Sequence, residues 1–103
     1  MSAPEIAIKL SPKARRDFID ILRDTGEKWG MRQLEVYRDK IDSALRQLSK
    51  NPDIGRHRED LPDTHRGYLV GEHIIVYRVQ NETLGIVRIL HQRMSLMQHL
   101  PKP

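Results

Sequence analysis

The residues best suited to chemistry lie near the C-terminal end of this 103-residue sequence. His91 and Arg93 are two positions apart at the end of an apolar, β-branched stretch, so as strand residues they point to the same face. An imidazole beside a guanidinium can do acid–base work on a phosphodiester such as RNA. It can equally serve as a structural or partner contact, and that reading is favoured because catalysis needs further groups around the scissile atom. Arg88 falls on the opposite face of the same strand. The other histidines, His57, His65, His73 and His99, show no i, i+4 pair and no companion carboxylate cluster, so no metal site is expected. Asp17, Asp20, Asp24 and Glu27 follow helical spacing but are interleaved with Lys13, Arg16, Arg23 and Lys28. That mixture reads as a solvated helix face with i, i+4 pairs, not as a paired-carboxylate centre. Gly67 and Gly71 flank a strand and its turn, so no phosphate loop is expected. The serines lack a nucleophile-elbow context.

Charge singles out the same region. The chain carries 18 Lys and Arg against 14 Asp and Glu, a net +4. After Asp63 the cations are Arg66, Arg78, Arg88, Arg93 and Lys102, and the only acidic side chains are Glu72 and Glu82. Arginine suits bidentate contact with carboxylate or phosphate. Arg66, Arg78, Arg88, His91 and Arg93 are therefore the candidate target-binding residues, and composition alone supports equally the reading that they are ordinary solvated strand residues. The modest net charge gives no reason to expect independent sequence-specific nucleic-acid binding. The absence of cysteine excludes disulfides and thiolate chemistry and fits a cytoplasmic protein. The longest apolar run, Ile74 to Tyr77, is too short to cross a membrane, and the first residues lack the pattern of a secretory signal.

The elements that position these residues follow from periodicity. Ile6, Ile8 and Leu10 alternate as a half-buried strand over 5–10. Ser11-Pro12 is a helix start, with Ser11 as cap and Pro12 in the first turn. Ala14, Phe18, Ile21, Leu22, Thr25 and Trp29 recur at helical spacing, and Gly30 ends that helix. Leu34, Tyr37, Ile41, Ala44, Leu45 and Leu48 mark a second helix, which Asn51-Pro52 stops. So short a break makes the two helices an antiparallel hairpin. Its packing is expected to run through Phe18, Leu22, Trp29, Leu34, Tyr37, Ile41, Leu45 and Leu48. After a loop over 51–64 the period changes to two, with strands at 66–70, 73–79 and 84–91 in an antiparallel meander.

The sequence thus describes one α+β domain over 1–103, with its core at about 5–93 and a tail over 94–103. The order is β-α-α-β-β-β, an antiparallel sheet that includes the first strand and packs against the N-terminal helical hairpin. The last strand has no obvious inward face. Ile86, Arg88 and Leu90 point one way, and Val87, Ile89 and His91 the other. Both faces are therefore expected to be partly covered, the second by the tail or by a partner. The tail, with Met94, Leu96, Met97 and Leu100, reads as a short helix or an apolar arm.

Several stretches resemble the ParE toxins of bacterial type II toxin–antitoxin systems. Leu10-Ser11-Pro12-Lys13-Ala14 resembles their strand-to-helix start, and Lys28-Trp29-Gly30 the Trp-Gly of their helical hairpin. Asn51-Pro52-Asp53-Ile54-Gly55 resembles their Asn-Pro-x-x-Gly, and His73 with Val76-Tyr77-Arg78-Val79 their central strand. Most specific is Val87-Arg88-Ile89-Leu90-His91-Gln92-Arg93-Met94, which resembles their C-terminal Arg-Ile-Leu-His-x-Arg-Met signature. The resemblance spans residues 8 to 96. It implies a RelE/ParE-like fold, inhibition of DNA gyrase by binding, and no catalysis or cofactor. It also implies neutralisation by a ParD-like antitoxin in a hetero-oligomer. The related RelE proteins are ribosome-dependent mRNA endoribonucleases. Their Lys-rich second helix end and the Tyr after their last Arg are absent here, where Met94 and Ser95 follow Arg93. Gyrase inhibition, RNA cleavage and a non-toxic binding module on this fold are the three functions to weigh.

Overall fold

The computed structural model describes residues 5–100. The elements are β1 (Ala7–Leu10), α1 (Pro12–Trp29), α2 (Met31–Lys50), a single 3-10 turn (Pro52–Ile54), β2 (Arg66–Val70), β3 (His73–Gln80), β4 (Thr83–His91) and α3 (Leu96–His99). Ser11 does two jobs at the start of α1. Its hydroxyl accepts the Ala14 amide at 2.9 Å as an N-cap and donates to the Val87 carbonyl at 2.8 Å, so the cap also ties α1 to β4. Between α1 and α2, Gly30 sits at φ +90°, a conformation that side chains rarely adopt, and its N–H closes α1 on the Gly26 carbonyl. At the other end of the hairpin, Ser49 is buried and its hydroxyl donates to the Ile6 carbonyl, which holds α2 against the strand before it.

The sheet order is β1-β4-β3-β2. The meander is antiparallel as expected, but β1 runs parallel to β4, so the sheet is mixed and not wholly antiparallel. The reason is the connection: only Ser11 separates β1 from α1, too little chain to reverse direction. α1 therefore continues the way β1 was heading, α2 runs back, and β2, β3 and β4 each reverse the chain again, so β4 regains the polarity of β1 and the two pair in parallel.

A β-bulge resolves the two-faced last strand. Val76 pairs with Arg88 but Tyr77 pairs with Ile86, which leaves Val87 as an extra residue. The alternation shifts by one there. Leu84, Ile86 and Ile89 consequently share the helix-facing core with Ile21, Ile41, Leu45, Leu48, Ile75 and Tyr77. Leu90 lies on the opposite face with Leu61, Ile74, Val76 and Leu96, and Val87 packs beside them. A strict period-two reading places Ile86 with Leu90 and Val87 with Ile89, and the bulge separates both pairs.

The hairpin core is as expected at Ile41, Leu45 and Leu48, all buried, while Phe18, Leu22, Leu34 and Tyr37 are partly buried. Trp29 is the exception, 71% exposed. α1 starts beside Ile86, and only about 17 Å of β4 remain from there to His91, whereas its 18 residues extend about 27 Å. The last turns overhang the end of the sheet, and Trp29 has nothing beneath it to pack on. The tail forms the short helix α3, and Leu96 plugs the second face.

Candidate target-binding surface

The five basic-edge residues do not form one cluster. Arg88 lies on the stretch of β4 beyond the end of β1, where α1 takes over as neighbour. Its Nε and Nη2 donate to the two carboxylate oxygens of Asp17 at 2.7 and 2.8 Å, and Nη1 donates to the His99 carbonyl at 2.8 Å. The same Asp17 carboxylate accepts the Ile89 amide at 3.0 Å, an edge N–H with no neighbouring strand to receive it. Both side chains are about 85% buried, and the Asp17 hydrogen bonds push the guanidinium further up. Arg88 thus joins α1, β4 and the tail, and all three of its guanidinium nitrogens are engaged within the fold. Asp17 is one carboxylate of α1 that is not solvated. Its position three after Ala14 and four before Ile21 puts it on the buried stripe, a signal that charge pattern alone obscures.

Arg66 is also engaged. It donates to the Gly55 carbonyl at 2.9 Å and lies 3.7 Å from Asp53, which fastens the 3-10 turn to β2. Tyr77 secures that turn from below: its buried hydroxyl donates to the Pro52 carbonyl at 2.6 Å and accepts the Gly55 amide at 2.9 Å.

His91 and Arg93 lie at the pole where β4 ends and β3 begins. The His91 ring meets His73 edge-on at 5.3 Å, and His73 in turn meets Tyr37 of α2 at 5.5 Å. The Tyr37 hydroxyl lies 2.6 Å from His73 Nδ1, 3.1 Å from the Val70 carbonyl and 3.2 Å from the Glu72 amide. It has one proton. All three contacts are satisfied when His73 Nδ1–H and the Glu72 N–H donate to it and it donates to Val70. His91 Nδ1 accepts the Arg93 amide, and its Nε2 is 3.6 Å from the exposed Glu72 carboxylate. The Arg93 side chain is exposed with no ion pair among the described residues. His73 and Tyr37 carry no weight in a reading by sequence spacing, because α2 and β3 meet only in the folded chain.

Burial holds His73 below the ordinary imidazole range, with His91 adding to the effect and Glu72 and Asp17 opposing it. Burial and Arg78 depress His65 in the same direction. A lowered folded pKa means that the unfolded chain binds more protons as the pH drops through the ordinary value. Stability is therefore full above about pH 6.5 and falls as the pH drops below it, until the folded pKa is passed. Urea midpoints between about pH 7.5 and 5.5 are expected to fall. The fall should be shallower in His73→Gln and shallowest in His73→Gln with His65→Gln. An unchanged slope in the double variant would count against both assignments.

Arg78 faces the opposite pole on the second sheet face. From His73 to Arg78 is five residues along β3, about 17 Å, so Arg78 and His91 cannot share one small ligand. Arg78 is exposed, lines an open cavity of about 410 Å³ with Lys9 and His65, and has no ion pair among the described residues. Of the five candidates, Arg78, His91 and Arg93 are available to a partner, at two separate ends of the sheet. Among the described residues no group of three His, Asp or Glu is placed to hold a metal, and no helix is long and apolar enough to cross a membrane.

Residues 8–96 match the family model described as the ParE toxin of the type II toxin–antitoxin system parDE. The chain belongs to the ParE toxin family. It is 36% identical over 92 residues to toxin ParE1 of Mycobacterium tuberculosis, covering 88% of this chain and 94% of that protein. It is 30% identical over 92 residues to toxin ParE1 of Caulobacter vibrioides, covering 89% and 95%. The fold is shared with the chromosomal ParDE system of P. aeruginosa, at a TM-score of 0.73 and 18% identity over 84% of this chain and 96% of that one. It is also similar to the RelBE2 toxin–antitoxin complex of Mycobacterium tuberculosis, at a TM-score of 0.56 and 23% identity over 86% and 100%. The signature Arg88-Ile89-Leu90-His91-Gln92-Arg93 of this ParE-family chain therefore contains one arginine that ties α1, β4 and the tail together and one whose side chain is exposed.

Proposed function

We propose that this ParE-family toxin inhibits DNA gyrase by binding, without catalysis, and is held inactive in the cytoplasm by a ParD-like antitoxin in a hetero-oligomer. The observation that carries this reading is the match to the ParE toxin model across residues 8–96. The half-open second sheet face supports a partner, since among the described residues α3 and the 55–65 loop cover it at one end. Arg78, Arg93 and His91 are the target-binding candidates that the fold leaves available. Arg66 and Arg88 are retained as candidates only through their effect on the shape of that surface.

A second reading rests on the Tyr37–His73–His91 constellation, which offers titratable groups beside Arg93 for RelE-like ribosome-dependent RNA cleavage. A non-toxic binding module is the third. Purified protein added to a gyrase supercoiling reaction and to a translating ribosome extract separates them. Inhibition of supercoiling alone supports gyrase, mRNA cleavage alone supports the nuclease, and neither supports the module. Arg93→Ala is expected to reduce growth inhibition and gyrase inhibition together by about tenfold or more, the scale of removing one charge-assisted hydrogen bond. Its melting temperature should be unchanged and its antitoxin binding intact. Full potency in Arg93→Ala, His91→Ala and Arg78→Ala would move the toxic surface elsewhere.

A further inference from the structure

Three consecutive strands place Lys9 of β1, Gly85 of β4 and Arg78 of β3 in one row. Gly85 pairs with Lys9 on one side and with Arg78 on the other. Neighbours in such a row share a sheet face, so two cations flank a position with no side chain, about 5 Å away on each side. Gly85 is the floor of the 410 Å³ cavity, whose walls include Lys9, Arg78, His65, Pro12 and Val87 and no acidic residue. A Cβ built on Gly85 meets only the Arg78 carbonyl at 3.6 Å, an ordinary contact, and its backbone needs no glycine conformation. The gap is therefore open space above the sheet. The same face is closed at its other end by Leu96 of α3 and by Leu61, and Val87 borders both the closed and the open half.

We propose that the Lys9–Gly85–Arg78 row is a socket for an acidic polypeptide segment, one that sets an apolar side chain over Gly85 and carboxylates against Lys9 and Arg78. This rests on the antitoxin reading and assigns the segment to the antitoxin. Charge selects the occupant, because the rim is cationic and its two cations have no ion pair among the described residues. The apolar wall at Pro12 and Val87 favours a peptide over a nucleic-acid backbone, which offers phosphate but no aliphatic side chain.

Gly85→Leu fills the socket without backbone strain, and Arg78→Glu inverts one wall. Wild type and both variants would be titrated with the protein encoded next to this toxin, with a labelled 12-residue Leu/Glu peptide and its Leu/Gln counterpart, and with a single-stranded 12-nucleotide DNA. The expected result is that each variant, with an unchanged melting temperature, weakens binding of the neighbouring protein about tenfold or more. The Leu/Glu peptide should bind more tightly than Leu/Gln and DNA. Equal binding of the neighbouring protein to wild type and both variants would overturn the socket while leaving the antitoxin reading in place. No binding of that protein to wild type, with the Leu/Glu preference kept, would overturn the antitoxin as occupant and leave an acidic-peptide socket. A preference for DNA would overturn the peptide assignment.

Discussion

Asp17→Ala is expected to destabilise the fold by about 3–5 kcal/mol, the range for removing one partner of a buried ion pair. The carboxylate accepts two bonds from Arg88 and one from the Ile89 amide. Its loss leaves a guanidinium and an edge N–H largely out of water with no acceptor. Arg88→Ala is expected to fall in the same range, since it strands the carboxylate and frees the His99 carbonyl that holds the tail. The measurement is the urea midpoint at constant m-value. A loss below about 1 kcal/mol would mean that the pair behaves as a surface ion pair despite its burial. The consequence for function is direct. Reduced toxicity in Arg88→Ala reports a weakened fold, so the variant cannot locate the target surface unless its stability is measured alongside.

Ile41→Ala is expected to cost about 2–5 kcal/mol. Ile41 is fully buried where α2 crosses the helix-facing sheet core with Ile75, Tyr77 and Leu84. The branched side chain leaves a cavity that rigid strands cannot collapse into. Phe18→Ala should cost less, because Phe18 packs on that core from its margin and is only partly buried. Trp29→Ala should change stability by no more than about 0.5 kcal/mol, as for other surface positions. Denaturation of the three variants gives the order Ile41, Phe18, Trp29. A large loss at Trp29 would mean that the overhanging helix end is packed in solution.

How much was legible divides along the chain. The Ser11-Pro12 start, the Gly30 break, the Asn51-Pro52 stop and the two turns of the meander each follow from chemistry within a few residues. The elements accordingly begin and end within a residue or two of their expected bounds, including β1, which starts two residues later than 5–10. The ParE resemblance was legible for the same reason, since its motifs are local strings. The parallel pairing of β1 and the bulge at Val87 were not, because they depend on which strand lies beside which. Trp29 sits on the apolar stripe of α1 by spacing and in solvent by geometry, because helix periodicity says which side a residue faces but not where the sheet ends.

The candidate site shows the same division. By itself the sequence determined that basic residues, mostly arginine, dominate after Asp63, that His91 and Arg93 are neighbours at a strand end, and that both faces of the last strand carry apolar side chains. All three are properties of composition and of period along one strand. Only the tertiary structure decided which cations are available. Asp17 is separated from Arg88 by 71 positions, and their pairing exists only because α1 replaces β1 at the edge of β4. Likewise, Lys9, Gly85 and Arg78 come from three strands, and their row exists only in the register of the folded sheet. A charge is legible in a sequence, but its partner is set by packing, because a side chain answers to what lies within a few ångströms and not to its neighbours along the chain.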